Sequence, residues 1–404
     1  MNSFDKYFRI IWLWSLGFFI LAILTGFLFR LGLVTALPAE LSFSNIRHAH
    51  SHLMFFNWVV PIPMAFIARH LARTSGQSMA SLRFPVYSIM ALGFLSYPFF
   101  LFYGYRPIQV GEASLPLSVM LSGLVMIGWY WFMWIYLSKR KSSENALPRL
   151  FYDAALLILG VSSLGAWGVA VFQFSGSENP LFSTALTHFF LAVFTEGWCL
   201  LAALGIFYDV LGIEKVPFPK NWLIAPVLLG VPLMFPFGMS AGMLTPSLLI
   251  AARIGSAMVL AGLAVNLWVL MNQQLPAPLK IIVCLLGLKV LMQAGAVILP
   301  SSLWVGEHSL RILYLHLLLV GFVSLTFMAG LHRVYREINR SGLFLTLFSV
   351  LLLIASLVML SRFWPNYLMP ENPFIWVAWI AFLPVLAVSA EWVLLYRYHK
   401  IQSQ

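Results

Sequence analysis

Six of the nine histidines fall on three short stretches: His48, His50 and His52; His188; and His308 with His316. Imidazole is the commonest metal ligand among side chains, and in hydrocarbon it needs a partner. On a helix, His48 and His52 share a face, while His50 points roughly 160° away from both. One helix end can thus feed two sites, or one site and its hydrogen-bonding shell. A His-x-His-x-His run fits iron, copper or zinc. Further charges lie inside apolar surroundings, among them Glu196, Arg253 and Lys289. A carboxylate such as Glu196 in that setting must be neutral, paired or bound to a cation. Its two functional readings are metal ligand and proton relay. Lys289 reads equally as a proton-path residue or as the partner of Glu196. Arg253 reads as a snorkelling side chain or an anion ligand.

The elements that position these groups follow from composition. Of the 404 residues, 61% are hydrophobic and only 9% charged, and the mean hydropathy is +0.90. A soluble fold needs roughly a quarter of its residues charged to wet its surface. The chain therefore reads as an all-α polytopic membrane protein. Runs of about 20 apolar residues number twelve, at 8–30, 50–68, 84–105, 115–137, 152–174, 184–207, 222–240, 248–271, 279–300, 309–331, 342–361 and 373–396. Helices are the expected form, because open strands in lipid leave backbone groups unpaired. Short connections predict a single twelve-helix domain over 1–404. The first run lacks a small-residue cleavage site and reads as a retained span. Cys199 and Cys284, both in apolar runs, exclude a disulfide scaffold and any CxxC motif.

The 24 Lys and Arg residues orient the spans. With both termini in the cytoplasm, 17 of them fall on the cytoplasmic side, including Arg69, Arg73, Arg83, Lys139, Arg140, Lys141, Arg149, Arg333, Arg336, Arg340, Arg397 and Lys400. Five fall outside: Arg30, Arg47, Arg106, Arg311 and Arg362. That is the positive-inside pattern, so the net charge of +11 serves the lipid bilayer and calls for no nucleic-acid partner. His70, His332 and His399 then lie at cytoplasmic helix ends as interfacial residues. The other six sit at the outer rim or in the outer half, on spans two, six and ten only.

Spans two and ten resemble subunit I of the haem–copper oxidase superfamily, which includes the nitric oxide reductases. In that family span two carries a haem-ligating His, a Met four residues on, a Phe pair and a Pro eleven residues on. Here His50 is followed by Met54, Phe55–Phe56 and Pro61, with the Phe pair one place early. Span ten of the family reads His-x-His, and Met-Ala-Gly often follows twelve residues after the second His. Here His316 is followed at that spacing by Met328, Ala329 and Gly330. The resemblance implies a low-spin haem b ligated by His50 and His316, with Arg47 and Arg362 on its propionates. One or two haems are implied, with iron or copper as a second metal, and a quinol or cytochrome as electron donor. It also implies a bacterial inner-membrane location.

The departures redirect the second site. Tyr314 stands where the family has the His of its high-spin haem, and tyrosinate can ligate iron. Span seven has no His, so a three-His copper site cannot be built there. Glu196–Gly197 matches the Glu-Gly of the nitric oxide reductases in span six. Four residues before the Glu, however, stands Ala192, and the nearest His is His188. A reactive site of Tyr314 and Glu196 is therefore expected, with His48, His52 and His188 as the remaining metal-binding imidazoles. A second relative, the twelve-helix haem- and copper-containing nitric-oxide-response proteins, shows a His-Ala-His like His48–Ala49–His50. Two function classes follow: an oxidoreductase or electron carrier with nitric-oxide-type chemistry, and a non-catalytic haem or metal sensor, metal-handling protein or transporter.

Overall fold

A computed structural model describes residues 3–38, 40–75, 80–140, 146–175 and 179–403; Lys141, one of the cytoplasmic-side charges, lies outside them. Eleven described helices are long and apolar enough to cross a membrane. They are α1 (Lys6–Gly32), α2 (Phe43–Thr74), α3 (Ala80–Tyr103), α4 (Leu117–Lys139), α5 (Leu147–Phe172), α6 (Pro180–Leu211), α8 (Pro246–Met271), α9 (Ala277–Ile298), α10 (His308–Val334), α11 (Ser341–Met359) and α12 (Pro373–Lys400). The protein is an all-α polytopic membrane protein. One departure from helix is a hairpin, β1 (Ile108–Val110) and β2 (Ala113–Leu115), in the connection after α3.

The seventh apolar run, 222–240, forms only a short helix, so the described residues give eleven helices of crossing length where twelve were expected. Helix α7 covers Asn221–Leu233, and the chain then proceeds in two tight 3₁₀ turns, Phe235–Gly238 and Ala241–Met243. Pro232 and Pro236 explain the break, since each removes an N–H and blocks the carbonyl one turn back. An apolar window registers the side chains and overlooks the lost donors.

The contacts cluster into two units. Unit one comprises Met1–Ser142 with Val334–Gln404, and unit two comprises Ser143–Arg333. In unit one α1 packs on α2 and α12, α3 on α4, and α11 on α12. In unit two α5 packs on α6, and α8 lies against α7 and α9. Side-chain caps fix where the site-bearing helices begin. Ser42 Oγ accepts from Asn45 N (3.2 Å) ahead of α2, Asn179 Oδ1 from Leu181 N (3.0 Å) ahead of α6, and Thr245 Oγ1 from Leu248 N (3.3 Å) ahead of α8. Each relieves one of the unpaired N–H groups of a first turn.

Three helices differ from the rest. The most apolar windows of α2, α6 and α10 are 89%, 78% and 72% buried, against 33–56% for the other eight. The same three contain wide π turns, at Phe55–Val59, Val193–Cys199 and Leu317–Ser324. An inserted residue of this kind re-aims the side chains around it and recurs at functional sites. These are the helices that carry His48, His50, His52, His188, His308 and His316.

Candidate functional site

In unit one, the ring of His50 turns from α2 toward α1. Its Nδ1 lies 2.7 Å from the carbonyl oxygen of Ala22. A carbonyl only accepts, so Nδ1 carries the proton and Nε2 carries the lone pair. The ring fits because Gly26 has no side chain: a Cβ there would lie 2.9 Å from His50 Cε1 and 3.1 Å from Nδ1. Gly26→Ala should therefore push the ring off its carbonyl and cost about 1–3 kcal/mol of stability. An unchanged melting temperature of the purified variant would show that the ring has room to move.

His48 and His52 point to a different neighbour, Tyr105 in the connection after α3. His52 Nε2 is 2.9 Å from the Tyr105 hydroxyl, and its ring stacks on Phe100 at 3.8 Å and 7°. His48 meets the Tyr105 ring edge-on at 4.6 Å. Burial pushes the Tyr105 phenol up to about 12, with Arg47 pulling the other way, so the hydroxyl stays protonated at neutral pH. His52 Nδ1, on the far side of the ring, is buried without a hydrogen-bond partner among the described residues. Arg47 and Arg362, the expected propionate partners, are both exposed.

In unit two, α10 repeats the arrangement seen at His50. His316 Nδ1 lies 2.8 Å from the carbonyl oxygen of Ile312, which again places the proton on Nδ1 and the lone pair on Nε2. A metal-ligating imidazole commonly has its other nitrogen fixed in this way, which sets the tautomer and raises ligand basicity. In each residue Nε2 is therefore the nitrogen chemically able to bind a metal. His188, half-buried on α6, packs its Nδ1 edge against Gly238 of the turns that follow α7.

Deeper in unit two lies a buried polar cluster. Glu196, inside the π turn of α6, is 3% exposed, and Lys289 of α9 is fully buried. Lys289 Nζ donates to Glu196 Oε2 at 2.6 Å and to Gln293 Oε1 one turn along. The same ammonium lies 5.4 Å from the centre of the Tyr314 ring, a cation–π contact. Gln293 Nε2 donates to the Ser256 carbonyl (3.2 Å) and toward Met234 Sδ (3.8 Å) at the end of α7. The Tyr314 hydroxyl lies beside the Glu196 carboxylate but outside hydrogen-bond geometry. Of the two sequence readings of Lys289, the structure displays the ion pair.

Among the described residues no three His, Cys, Asp or Glu side chains converge on a metal-sized point. Sequence reasoning passed over Tyr105, Gly26, Gln293, Ser256 and Met234. Gln293 carried a signal, standing four residues after Lys289 and hence on its face. No protein-family model and no curated protein matches the chain.

Proposed function

We propose that this chain is a haem-binding redox protein of the membrane, divergent within the haem–copper oxidase superfamily, with His50 and His316 as axial ligands of a low-spin haem b. The observation that carries the reading is the shared tautomer: each imidazole gives its Nδ1 proton to a main-chain carbonyl of its own unit. Nε2 is left as the basic nitrogen in both. When bound, the haem supplies a one-electron couple, with a quinol or cytochrome as donor. His50 and His316 would hold its iron, the enclosure of α2 and α10 would exclude water, and the carbonyls of Ala22 and Ile312 fix the ring orientations.

The reading includes twelve spans, with α7 as the short one, both termini in the cytoplasm, and a bacterial inner membrane. For Glu196, the ammonium at 2.6 Å supports a relay or counter-charge over an iron ligand, since a bound iron and Lys289 would repel. Turnover of nitric oxide is accordingly not the core of the proposal. The non-catalytic alternative, a sensor or transporter, draws support from the interrupted α7. Transporter sites are commonly built at such broken helices.

The deciding experiment is the reduced-minus-oxidised spectrum of detergent-purified protein, where a sharp b-type α-band is expected. A colourless protein from cells with ample haem would overturn the reading. Elemental analysis should find iron, with copper well below one per chain, because span seven offers no His. A full equivalent of copper surviving chelation would contradict this and turn attention to His48, His52 and His188.

A further inference from the structure

We propose that a hydrated polar track runs through unit two from the end of α8 that carries Arg253 down to the Glu196–Lys289 pair. It would give this buried pair exchange of water, and of the protons water carries, with a single aqueous phase. The inference needs only that unit two spans the membrane, and it stands apart from the haem reading.

The order of groups along two helices defines the track. Helix α8 begins at Pro246 and α9 ends at Ile298, and the two ends meet: Arg253 Nη2 donates to the Leu299 carbonyl at 3.0 Å. One turn deeper on α8 is Ser256, whose carbonyl accepts from Gln293 Nε2. One turn deeper on α9 than Gln293 is Lys289, bonded to Glu196. Polar side chains thus succeed one another from the Arg253 end to the pair, at steps of about 5 Å per helical turn.

Three atoms along this line have hydrogen-bonding capacity unused among the described residues: Arg253 Nε, Ser256 Oγ and Glu196 Oε1. Each is a buried atom, and Ser256 and Glu196 are buried residues. Leaving such groups unmade costs about 1–3 kcal/mol apiece, more for a charge. Native interiors meet that cost with ordered water, which needs two to four polar partners. Lys289, by contrast, spends its donors on Glu196, Gln293 and the Tyr314 ring face. The open capacity is therefore on the carboxylate and the serine.

Beyond the pair the character reverses. Continuing inward, α8 offers Val259 and Leu263, α9 offers Leu286 and Ile282, and α6 offers Leu200 and Leu204, all fully buried. An apolar plug of this kind has nothing to hold water. The track ends at the pair, so exchange is with the Arg253 side alone, which the charge distribution makes the outer side.

The test is cysteine accessibility in a Cys199→Ser, Cys284→Ser background, using a small, membrane-impermeant ammonium methanethiosulfonate on oriented vesicles. Ser256→Cys should react from the same face as Arg253→Cys, whichever face that is, and Val259→Cys from neither. An unreactive Ser256→Cys beside a reactive Arg253→Cys would overturn the track, and so would equal reaction at Val259→Cys. Comparing the two positions separates failure of the track from failure of the assigned orientation. Hydroxyl-radical footprinting of the unmutated protein covers variants that do not fold. Met234, 6% exposed and at Gln293, should oxidise several-fold faster than Met90, 5% exposed. Equal rates would overturn the proposal.

Discussion

On the haem-binding function proposed above, replacing either His50 or His316 by Ala should abolish a sharp b-type α-band in the reduced protein. A low-spin haem needs two strong-field protein ligands, here the two imidazoles, so removing either one would raise the spin state or lose the haem. The two substitutions should therefore give the same spectral outcome although they fall in different units. His48→Ala and His52→Ala are the informative controls. These imidazoles are engaged with Tyr105, so the band should persist in both. Thermal melts of the apoproteins distinguish ligand loss from unfolding. A band that survives in His50→Ala and His316→Ala alike would remove the axial assignment.

What could be read from residues alone follows the range of the interaction concerned. The spans were legible because lipid imposes a length and polarity on each run. The exception, α7, failed where three prolines (Pro226, Pro232 and Pro236) act on the backbone and leave hydropathy unchanged. The concentration of histidines on three spans was legible, and those helices are the most enclosed. Their π turns were not, since such turns arise from packing and leave no mark in propensity. Glu196 and Lys289 were each visible as costly charges. Their pairing joins residues 93 apart in sequence, one of two readings that spacing left open. Tyr105, 53 residues from His52, stands at the last position of the third apolar run, where nothing in the sequence marked it.

Lys289→Met should destabilise the protein by about 3–5 kcal/mol, the usual cost of stranding one member of a buried ion pair. The carboxylate of Glu196 would then lose its counter-charge, with Oε2 left without the ammonium. It would have to take up a proton or draw further water to Oε2. Adding Glu196→Gln in the same chain should recover most of the loss, because a neutral amide does not demand the ammonium. Glu196→Gln alone should cost less than Lys289→Met, since Lys289 keeps Gln293 and the Tyr314 ring and can itself lose a proton. The double-mutant cycle is the measurement, read as melting temperatures of the four purified proteins, with a coupling of about 0.5–3 kcal/mol expected between contacting residues. Strict additivity would mean that the two side chains act independently. A strongly coupled pair has a further consequence. Buried ion pairs rarely stabilise a fold more than apolar residues of the same shape would, and within a membrane ionisable residues cluster at functional pathways. If the double variant folds as stably as the parent, the pair is dispensable for the fold. Its place beside Tyr314, two residues before His316, then argues for a role in moving or compensating charge.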